Sequence, residues 1–231
     1  MKPIGLLGGM SWESTAVYYR HLNEQVRKRR GGLASADIIL RSFDFSRIVA
    51  LQKAGDWQTA GATLADAARG LEAAGAQSIL ICTNTMHMLA DEVAAATSVP
   101  LVHIVDATAE KIRKAGFERP LLLATRYTME QGFYRDRMAE KFGLDAIIPD
   151  CDDRTIVHDV IFDELCQGAI KSESRDAYQA IIDRGALAGA DCVILGCTEI
   201  GMLICASDSS LPTFDSTFIH AEAALDYALA A

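Results

Sequence analysis

The chain has 231 residues, half of them hydrophobic, and a formal net charge of −9, so its length supports one large domain or two small ones. The acidic balance, with no basic run longer than 27–30, argues against a nucleic-acid partner. No apolar stretch approaches the roughly 18 residues that cross a membrane, and the N-terminus lacks the layout of a signal peptide, so we expect a cytosolic protein with no membrane partner.

The six cysteines show neither a CxxC pair nor a Cys/His spacing typical of zinc. We therefore expect free thiols in a reducing compartment and no metal site. Most free cysteines are small buried hydrophobes. Cys82 and Cys197 differ from the rest, because each lies where a predicted strand ends.

Apolar periodicity predicts alternating strands and helices in the first half of the chain. The predicted strands are 4–9, 36–44, 78–82 and 100–106. The predicted helices are 12–29, a long helix that Asp56 caps and that runs through Ala74, 86–96 and 107–116.

The same pattern starts again at residue 121, at an offset of about 115 residues. The repeated segments are 121–134, a strand at 144–150, a helix capped by Ser172, the strand ending 189–199, and 212–225. We interpret this order as two homologous α/β lobes, each a mostly parallel sheet flanked by helices, facing each other across a cleft. Residues 1–98 plus 208–231 would form the first lobe and residues 99–207 the second. The alternative, the loose repetitiveness of any α/β chain, is disfavoured by the shared order and the narrow offset.

Ligands of parallel sheets bind outside the carboxyl ends of the strands. We therefore expect the endings 79–85 and 193–199, the Gly8-Gly9 turn and its counterpart Ala124-Thr125 to face the cleft. When the two endings are aligned, Cys197 matches Thr83 and Cys82 matches Gly196. Because strand side chains alternate, this one-residue shift sends Cys82 to the other face, as a structural thiol.

Polar residues follow each ending. Asn84, Thr85 and Thr198 are of the types that begin helices, where free N–H groups can bind a carboxylate; the alternative is that Asn84 and Thr85 only cap a helix. A helix beginning beside Cys197 would lower the pKa of its thiol from the ordinary value of about 8.5.

The segments GLLGGMSWEST, CTNTMH, ATRYTMEQGFY, LGCTEIG and PTFDST resemble the cofactor-independent aspartate/glutamate racemase family, across essentially the whole chain. The resemblance implies two pseudo-symmetric lobes, a homodimer, and no pyridoxal phosphate or metal. It also implies two cysteines, one from each lobe, that flank the substrate α-carbon: one removes the proton and the other returns it on the opposite face. Thiols suit this chemistry because they can act as base and acid near neutral pH.

One departure stands out. The first-lobe motif of the family is Cys-Asn-Thr, and here it reads Thr83-Asn84-Thr85, whereas the second motif is intact as Cys197-Thr198-Glu199. A threonine hydroxyl can donate a proton but is a poor base. In related glutamate racemases the second-lobe cysteine handles the L enantiomer, which implies that this protein deprotonates L substrates readily and D substrates poorly. Glu199 replaces a histidine of the glutamate racemases, and Gly8-Gly9 replaces Asp-Ser, so both differences indicate the aspartate/glutamate branch.

We therefore assign Cys197 as the catalytic base and Thr83 as its partner. The predicted substrate-binding residues are Met10, Ser11, Gln52, Asn84, Thr85, Thr125, Thr198 and Glu199. The resemblance favours the region of Gln52 for the side-chain carboxylate, and the cations that could assist, or be plain surface charges, are Arg47, Lys53 and Arg126. We interpret His87 as a packed helix residue, and Asp106 and Asp215 as helix caps or as residues that order the surroundings of Cys197.

Two further functions stay open at this level. A single cysteine could serve as proton donor in a one-sided reaction, such as decarboxylation of a malonate or isomerisation of a cis-diacid. Alternatively, the protein could bind amino acids without turning them over. The sequence does not decide between aspartate and glutamate.

Overall fold

The computed structural model describes residues 1–230, in which the chain forms two compact units. The first comprises Met1–Ile104 and the segment from His220 onward, and the second comprises Val105–Ile219. The elements in chain order are β1 (Ile4–Gly8), α1 (Trp12–Arg30), β2 (Ile38–Ser42), α2 (Phe45–Ala54), α3 (Trp57–Ala73), β3 (Ser78–Ile81), a 3₁₀ helix (Thr85–Leu89), α4 (Ala90–Ala95), α5 (Ile104–Lys114), β4 (Pro120–Leu123), α6 (Arg126–Glu130), α7 (Phe133–Phe142), α8 (Cys151–Asp163), a 3₁₀ turn (Leu165–Gln167), α9 (Ser172–Leu187), β5 (Cys192–Leu195), α10 (Ile200–Leu203), a 3₁₀ turn (Ala206–Asp208), β6 (Thr213–Asp215) and α11 (Ser216–Leu229). No helix within residues 1–230 is long and apolar enough to span a bilayer.

The first unit is built on a parallel sheet with strand order β2-β1-β3. One face of β1 and β3 packs on α1 and α11, in a cluster that contains Leu6, Leu80 and Cys82. The other face packs on α3, in a cluster that contains Leu7 and Ile79. Both faces of these strands are covered, so each reads in the sequence as a continuous apolar run, which is why the sequence predicts them.

The second unit repeats this architecture with a parallel sheet of order β4-β5-β6. Its central strand, β5, is fully buried, with Val193 opposite Leu121 and Thr213. The predicted α/β class, with parallel sheets flanked by helices, is confirmed in both units.

Two predicted strands are wrong. In the segment 100–106 Leu101 forms a single bridge with Ile79, and in 144–150 Ile147 forms a single bridge with Leu121. The first segment stops pairing because α5 begins at Ile104, whose N–H donates to the ring of His87. A strand needs a partner along its length, and the sequence of one segment does not reveal how far the partner extends.

Of the two predicted helix caps, one is present in the structure and the other is not. Asp56 caps α3 as predicted, accepting a 3.0 Å hydrogen bond from the Thr59 N–H. Ser172 is instead the first residue of α9, and its hydroxyl lies 3.2 Å from the Glu173 carboxylate. The predicted cap at Ser172 is therefore wrong.

The two units differ from the predicted lobes at both places where the chain passes between them. Residues 208–219, predicted for the first lobe, belong to the second unit, because β6 pairs with β5. Residues 99–104, predicted for the second lobe, belong to the first unit, because the main chain around Leu101 bonds to Ile79.

Candidate active site

The first strand ending places Cys82 and Thr83 in different surroundings. Cys82 is fully buried in the core cluster shared with Leu80, and burial raises the pKa of its thiol. Thr83 is half-buried, with its N–H donating to the Ile81 carbonyl over 2.8 Å. Cys82 therefore has the environment of a structural thiol, as the alternation of strand side chains predicts.

The buried residues Asn84 and Thr85 lead from this ending into the 3₁₀ helix Thr85–Leu89. The Asn84 carbonyl accepts a 3.0 Å hydrogen bond from the His87 N–H, but its side chain makes no capping hydrogen bond to the helix. The interpretation of Asn84 as a side-chain cap is therefore wrong.

Gln52 reaches the same ending from α2. Its side chain is buried, and its amide Nε2 donates to the Met86 sulfur over 3.1 Å. Met86 also shares the core cluster with Met10, which is buried. The first unit thus brings the predicted binding residues Met10, Gln52 and Thr85 into one region.

The Gly8-Gly9 turn lies at the end of β1, and Gly9 packs against the Phe43 backbone. Gly9 has φ of 80°, and a Cβ there would lie 2.4 Å from the Phe43 nitrogen, so only glycine fits. Thr15 fills the space beside Gly8: a Cβ on Gly8 would lie 2.7 Å from the Thr15 hydroxyl oxygen, and that oxygen accepts a 2.8 Å hydrogen bond from the Gly9 N–H. Ser11 caps α1 by accepting from the Ser14 N–H. Sequence reasoning missed Thr15, whose only signal was its place four residues after Ser11.

The second strand ending holds the thiol. Cys197 is partly exposed, and its Sγ donates to Oε2 of the buried Glu199 over 2.9 Å. Burial, together with this carboxylate, raises the pKa of the Cys197 thiol well above its ordinary value. The expected lowering of this pKa is wrong, because α10 has only four residues and its weak dipole cannot offset an adjacent negative charge.

The turn between β6 and α11 supports this ending. The Ser216 hydroxyl donates to the Leu195 carbonyl over 2.9 Å, and the Thr217 hydroxyl donates to the Thr198 hydroxyl over 3.2 Å. Asp215 caps α11, accepting from the Thr217 N–H over 2.9 Å. Its burial raises the pKa of its carboxyl to about 6.

Asp106 matches Asp215 in the repeat, but its carboxylate has different partners. It lies inside the first turn of α5, and its carboxylate takes two hydrogen bonds from Arg137, at 2.5 and 2.8 Å, and pairs with Lys141. Its interpretation as a helix cap is therefore wrong.

Thr125 also lies in the second unit, at the β4 ending. It is buried and caps α6, with its hydroxyl 3.2 Å from that of Thr128. Its neighbour Ala124 crowds Gly196, where an added Cβ would come within 3.0 Å of the Ala124 Cβ. The β4 and β5 endings are thus in contact.

The three candidate cations are exposed: Arg47, Lys53 and Arg126. Their exposure is that of surface charges, and the Arg126 guanidinium donates to the Thr155 hydroxyl over 3.3 Å. Within residues 1–230 no group of three or more His, Cys, Asp or Glu side chains is placed to hold a metal ion.

A family model described as Asp/Glu/hydantoin racemase matches residues 7–224, nearly the whole chain. The chain belongs to this family. It is therefore an amino-acid racemase, an isomerase.

Three relatives illustrate the match. A solved structure from Yersinia pestis, for which Asp/Glu racemase is a proposed name, is 54% identical, covers 100% of both chains and has a TM-score of 0.94. An aspartate racemase homologue from Pyrococcus horikoshii OT3 is 34% identical, covers 99% of both chains and has a TM-score of 0.87. The broad-specificity amino-acid racemase RacX of Bacillus subtilis (strain 168) is 24% identical, and the match covers 98% of this chain and 98% of RacX.

Proposed function

We propose that this racemase acts on aspartate and/or glutamate, with Cys197 as the base for the L enantiomer and Thr83 as the proton donor on the opposite face. The observation that carries the proposal is the 2.9 Å hydrogen bond from the Cys197 thiol to Glu199, because it gives the thiol a partner that can accept its proton. The names of the relatives from Pyrococcus horikoshii and Yersinia pestis support acidic substrates. The name of RacX is compatible with a wider range.

The proton balance begins with a neutral thiol, since the raised pKa keeps Cys197 protonated near pH 7. The thiol proton passes to Glu199, leaving a thiolate and a carboxylic acid. The thiolate then takes the α-proton of the L amino acid, which leaves a carbanion that its own carboxylate stabilises. Thr83 gives its hydroxyl proton to the opposite face and takes one back from water. Glu199 releases its proton to the hydroxide that this leaves, so that Cys197 is again a neutral thiol, Glu199 again a carboxylate and the inversion is complete.

The substrate carboxylates need hydrogen-bond donors. We propose that Asn84, Thr85 and Thr198 bind the α-carboxylate, because each is a buried polar residue at a strand ending that carries a catalytic group. For the side-chain carboxylate we propose the region of Gln52, whose buried amide adjoins Met86. We also place the other predicted substrate-binding residues at the proposed substrate site: Met10, Ser11, Thr125 and Glu199.

Solvent-deuterium exchange at the α-carbon tests the proposal. The purified protein is incubated in D₂O with a panel of L-amino acids, and exchange and racemisation are followed separately. We expect L-aspartate and/or L-glutamate to exchange and to racemise. Binding without exchange, or decarboxylation or isomerisation of a diacid in place of exchange, would overturn the proposal.

We also propose a cytosolic homodimer that associates through the first unit. Trp12, Tyr19 and Leu40 line one shallow exposed depression there, and clustered exposed apolar side chains are typical of protein interfaces. Light scattering after gel filtration tests this. We expect the wild-type mass to be that of a dimer and the mass of Leu40→Lys to be that of a monomer; a wild-type monomer would contradict it.

A further inference from the structure

His87 joins the Thr83 ending to the start of α5. The residue is buried, with 3% of its surface exposed. Nδ1 lies 2.8 Å from the Thr83 carbonyl oxygen, and Nε2 lies 3.1 Å from the Ile104 nitrogen. One buried side chain therefore bonds two backbone segments that are far apart in the sequence.

The two backbone partners determine the tautomer of His87. A carbonyl oxygen can only accept, so Nδ1 must carry a proton and donate it to Thr83. A backbone N–H can only donate, so Nε2 must be unprotonated and accept from Ile104. His87 is thus a neutral ring with its proton on Nδ1, and either a flip or a second proton would break at least one of these bonds.

The hydrogen bond from His87 Nδ1 to the Thr83 carbonyl fixes the backbone of Thr83, the residue that carries the proposed donor hydroxyl. The Thr83 N–H is already bonded to Ile81, so the bond from His87 holds the second backbone group of the same residue. The peptide that links Thr83 to Asn84 is planar, so holding its carbonyl also fixes the direction of the Asn84 N–H. Threonine is stiff at χ1, so its hydroxyl follows its backbone closely.

A second histidine, His220, bonds the backbone close to Ile104, the other residue to which His87 is hydrogen-bonded. His220 Nε2 donates to the Val102 carbonyl over 2.7 Å, and the Tyr18 hydroxyl donates to His220 Nδ1 over 2.8 Å. The His220 ring also packs edge-on against His87, with 5.4 Å between centroids. The segment around Ile104 is therefore anchored from two sides, which makes it a fixed support for His87.

We infer that His87 is a positioning residue for the Thr83 half of the reaction. Its bond to the Thr83 carbonyl sets the hydroxyl in place for proton delivery to the face opposite Cys197. The inference rests on the proposed function. It predicts that the loss of this bond slows inversion while the Cys197-dependent exchange of the L substrate continues.

Two amide substitutions separate the two hydrogen bonds. His87→Asn places its amide nitrogen where Nδ1 lies and keeps the donor to Thr83, but it loses the acceptor for Ile104. His87→Gln reaches the position of Nε2 and keeps that acceptor, but it loses the donor to Thr83. Each variant loses one hydrogen bond to a backbone group, so their melting temperatures should fall by similar amounts and each is the control for the other.

The measurement is the ratio of racemisation to α-carbon exchange, starting from pure L substrate. We expect His87→Asn to keep the wild-type ratio and His87→Gln to lower it on the order of 10-fold or more, because small misplacements of a reacting group cost rate steeply. A purely structural role would lower racemisation and exchange together in both variants. An unchanged ratio in His87→Gln, or an equal fall of the ratio in both variants, overturns the inference.

A second measurement does not depend on turnover or on variants that fold. Nitrogen-15 NMR of the wild-type imidazoles should show the His87 proton on Nδ1; a proton on Nε2 overturns the inference. A wild-type protein that neither exchanges nor racemises its substrates would overturn the proposed function and this inference with it. If the wild type is active and His87→Gln leaves the ratio of racemisation to exchange unchanged, only the inference about His87 is overturned, and the proposed function stands.

Discussion

The thiol of Cys197 donates a 2.9 Å hydrogen bond to the carboxylate of Glu199, two residues further along the chain. Glu199 is buried, whereas the residue Cys197 is partly exposed. The carboxylate opposes a second negative charge on the thiol, which keeps the sulfur protonated in the absence of substrate.

Cys197→Ser should abolish α-carbon exchange of the L substrate, because a hydroxyl ionises far less readily than a thiol. The melting temperature should stay close to that of the wild type, since the two side chains differ by a single atom. Exchange is followed by NMR in D₂O. Substantial remaining exchange would place the base on another residue.

Glu199→Gln should lower the pKa of the Cys197 thiol, because it removes the carboxylate charge that raises it. The rate of Cys197 alkylation by iodoacetamide, read peptide by peptide with mass spectrometry, should therefore reach its half-maximum at a lower pH than in the wild type. The buried Cys82 should stay unreactive in both proteins and serves as the internal control. A half-maximum that does not move would show that burial alone sets this pKa.

Cys82→Ala should lower the free energy of unfolding by about 1 kcal/mol or somewhat more, as a small truncation in a packed core does. Activity should be largely retained, because the side chain packs in the core cluster and is fully buried. Denaturant unfolding and the exchange assay measure the two effects. A loss of exchange as deep as that of Cys197→Ser would assign this thiol to the reaction.

Asp215→Asn should change how stability depends on pH. The folded pKa of Asp215 is raised from 3.8 to about 6, so the wild type loses stability as the pH rises from about 4 to about 6 and loses no more from this group above that. The variant does not titrate there, and its amide oxygen can still cap α11. Its stability relative to wild type should therefore increase by roughly 3 kcal/mol across this window, at about 1.4 kcal/mol for each pKa unit.

Unfolding of both proteins at pH 4 and at pH 7 measures this difference. His220, whose pKa burial lowers to about 4, titrates in the same window but is present in both proteins and cancels. A stability difference that is the same at both pH values would mean that folding does not shift the pKa of Asp215.

Thr83→Cys should supply a thiol at the position of the proposed proton donor. We expect the variant to gain exchange and racemisation of the D enantiomer, because a thiol with an ordinary pKa near 8.5 can act as a base where a hydroxyl cannot. Initial rates from pure D and pure L substrate, for wild type and variant, measure the gain. The equilibrium constant between enantiomers stays at one, so equal exchange of both enantiomers by the wild type would contradict the asymmetric roles of Thr83 and Cys197.

Features that a single segment encodes locally could be predicted from the sequence. β1, β3, β4 and β5 are continuous apolar runs because parallel strands covered on both faces need such residues. The cap at Asp56 needs only a carboxylate one residue before a helix. The one-residue shift between Cys82 and Cys197 was also readable, because strand side chains alternate faces.

Features that depend on a partner distant in the sequence could be read only from the folded chain. Residues 100–106 have the composition of a strand, yet they form a single bridge, because His87 takes the next N–H and a helix begins there. The pKa of the Cys197 thiol is raised, whereas the helix start beside it predicted a lowered pKa. The reason is that the Glu199 carboxylate, from the same turn, accepts a hydrogen bond from the sulfur. Side-chain direction and the extent of pairing arise from packing, and a one-dimensional pattern carries neither.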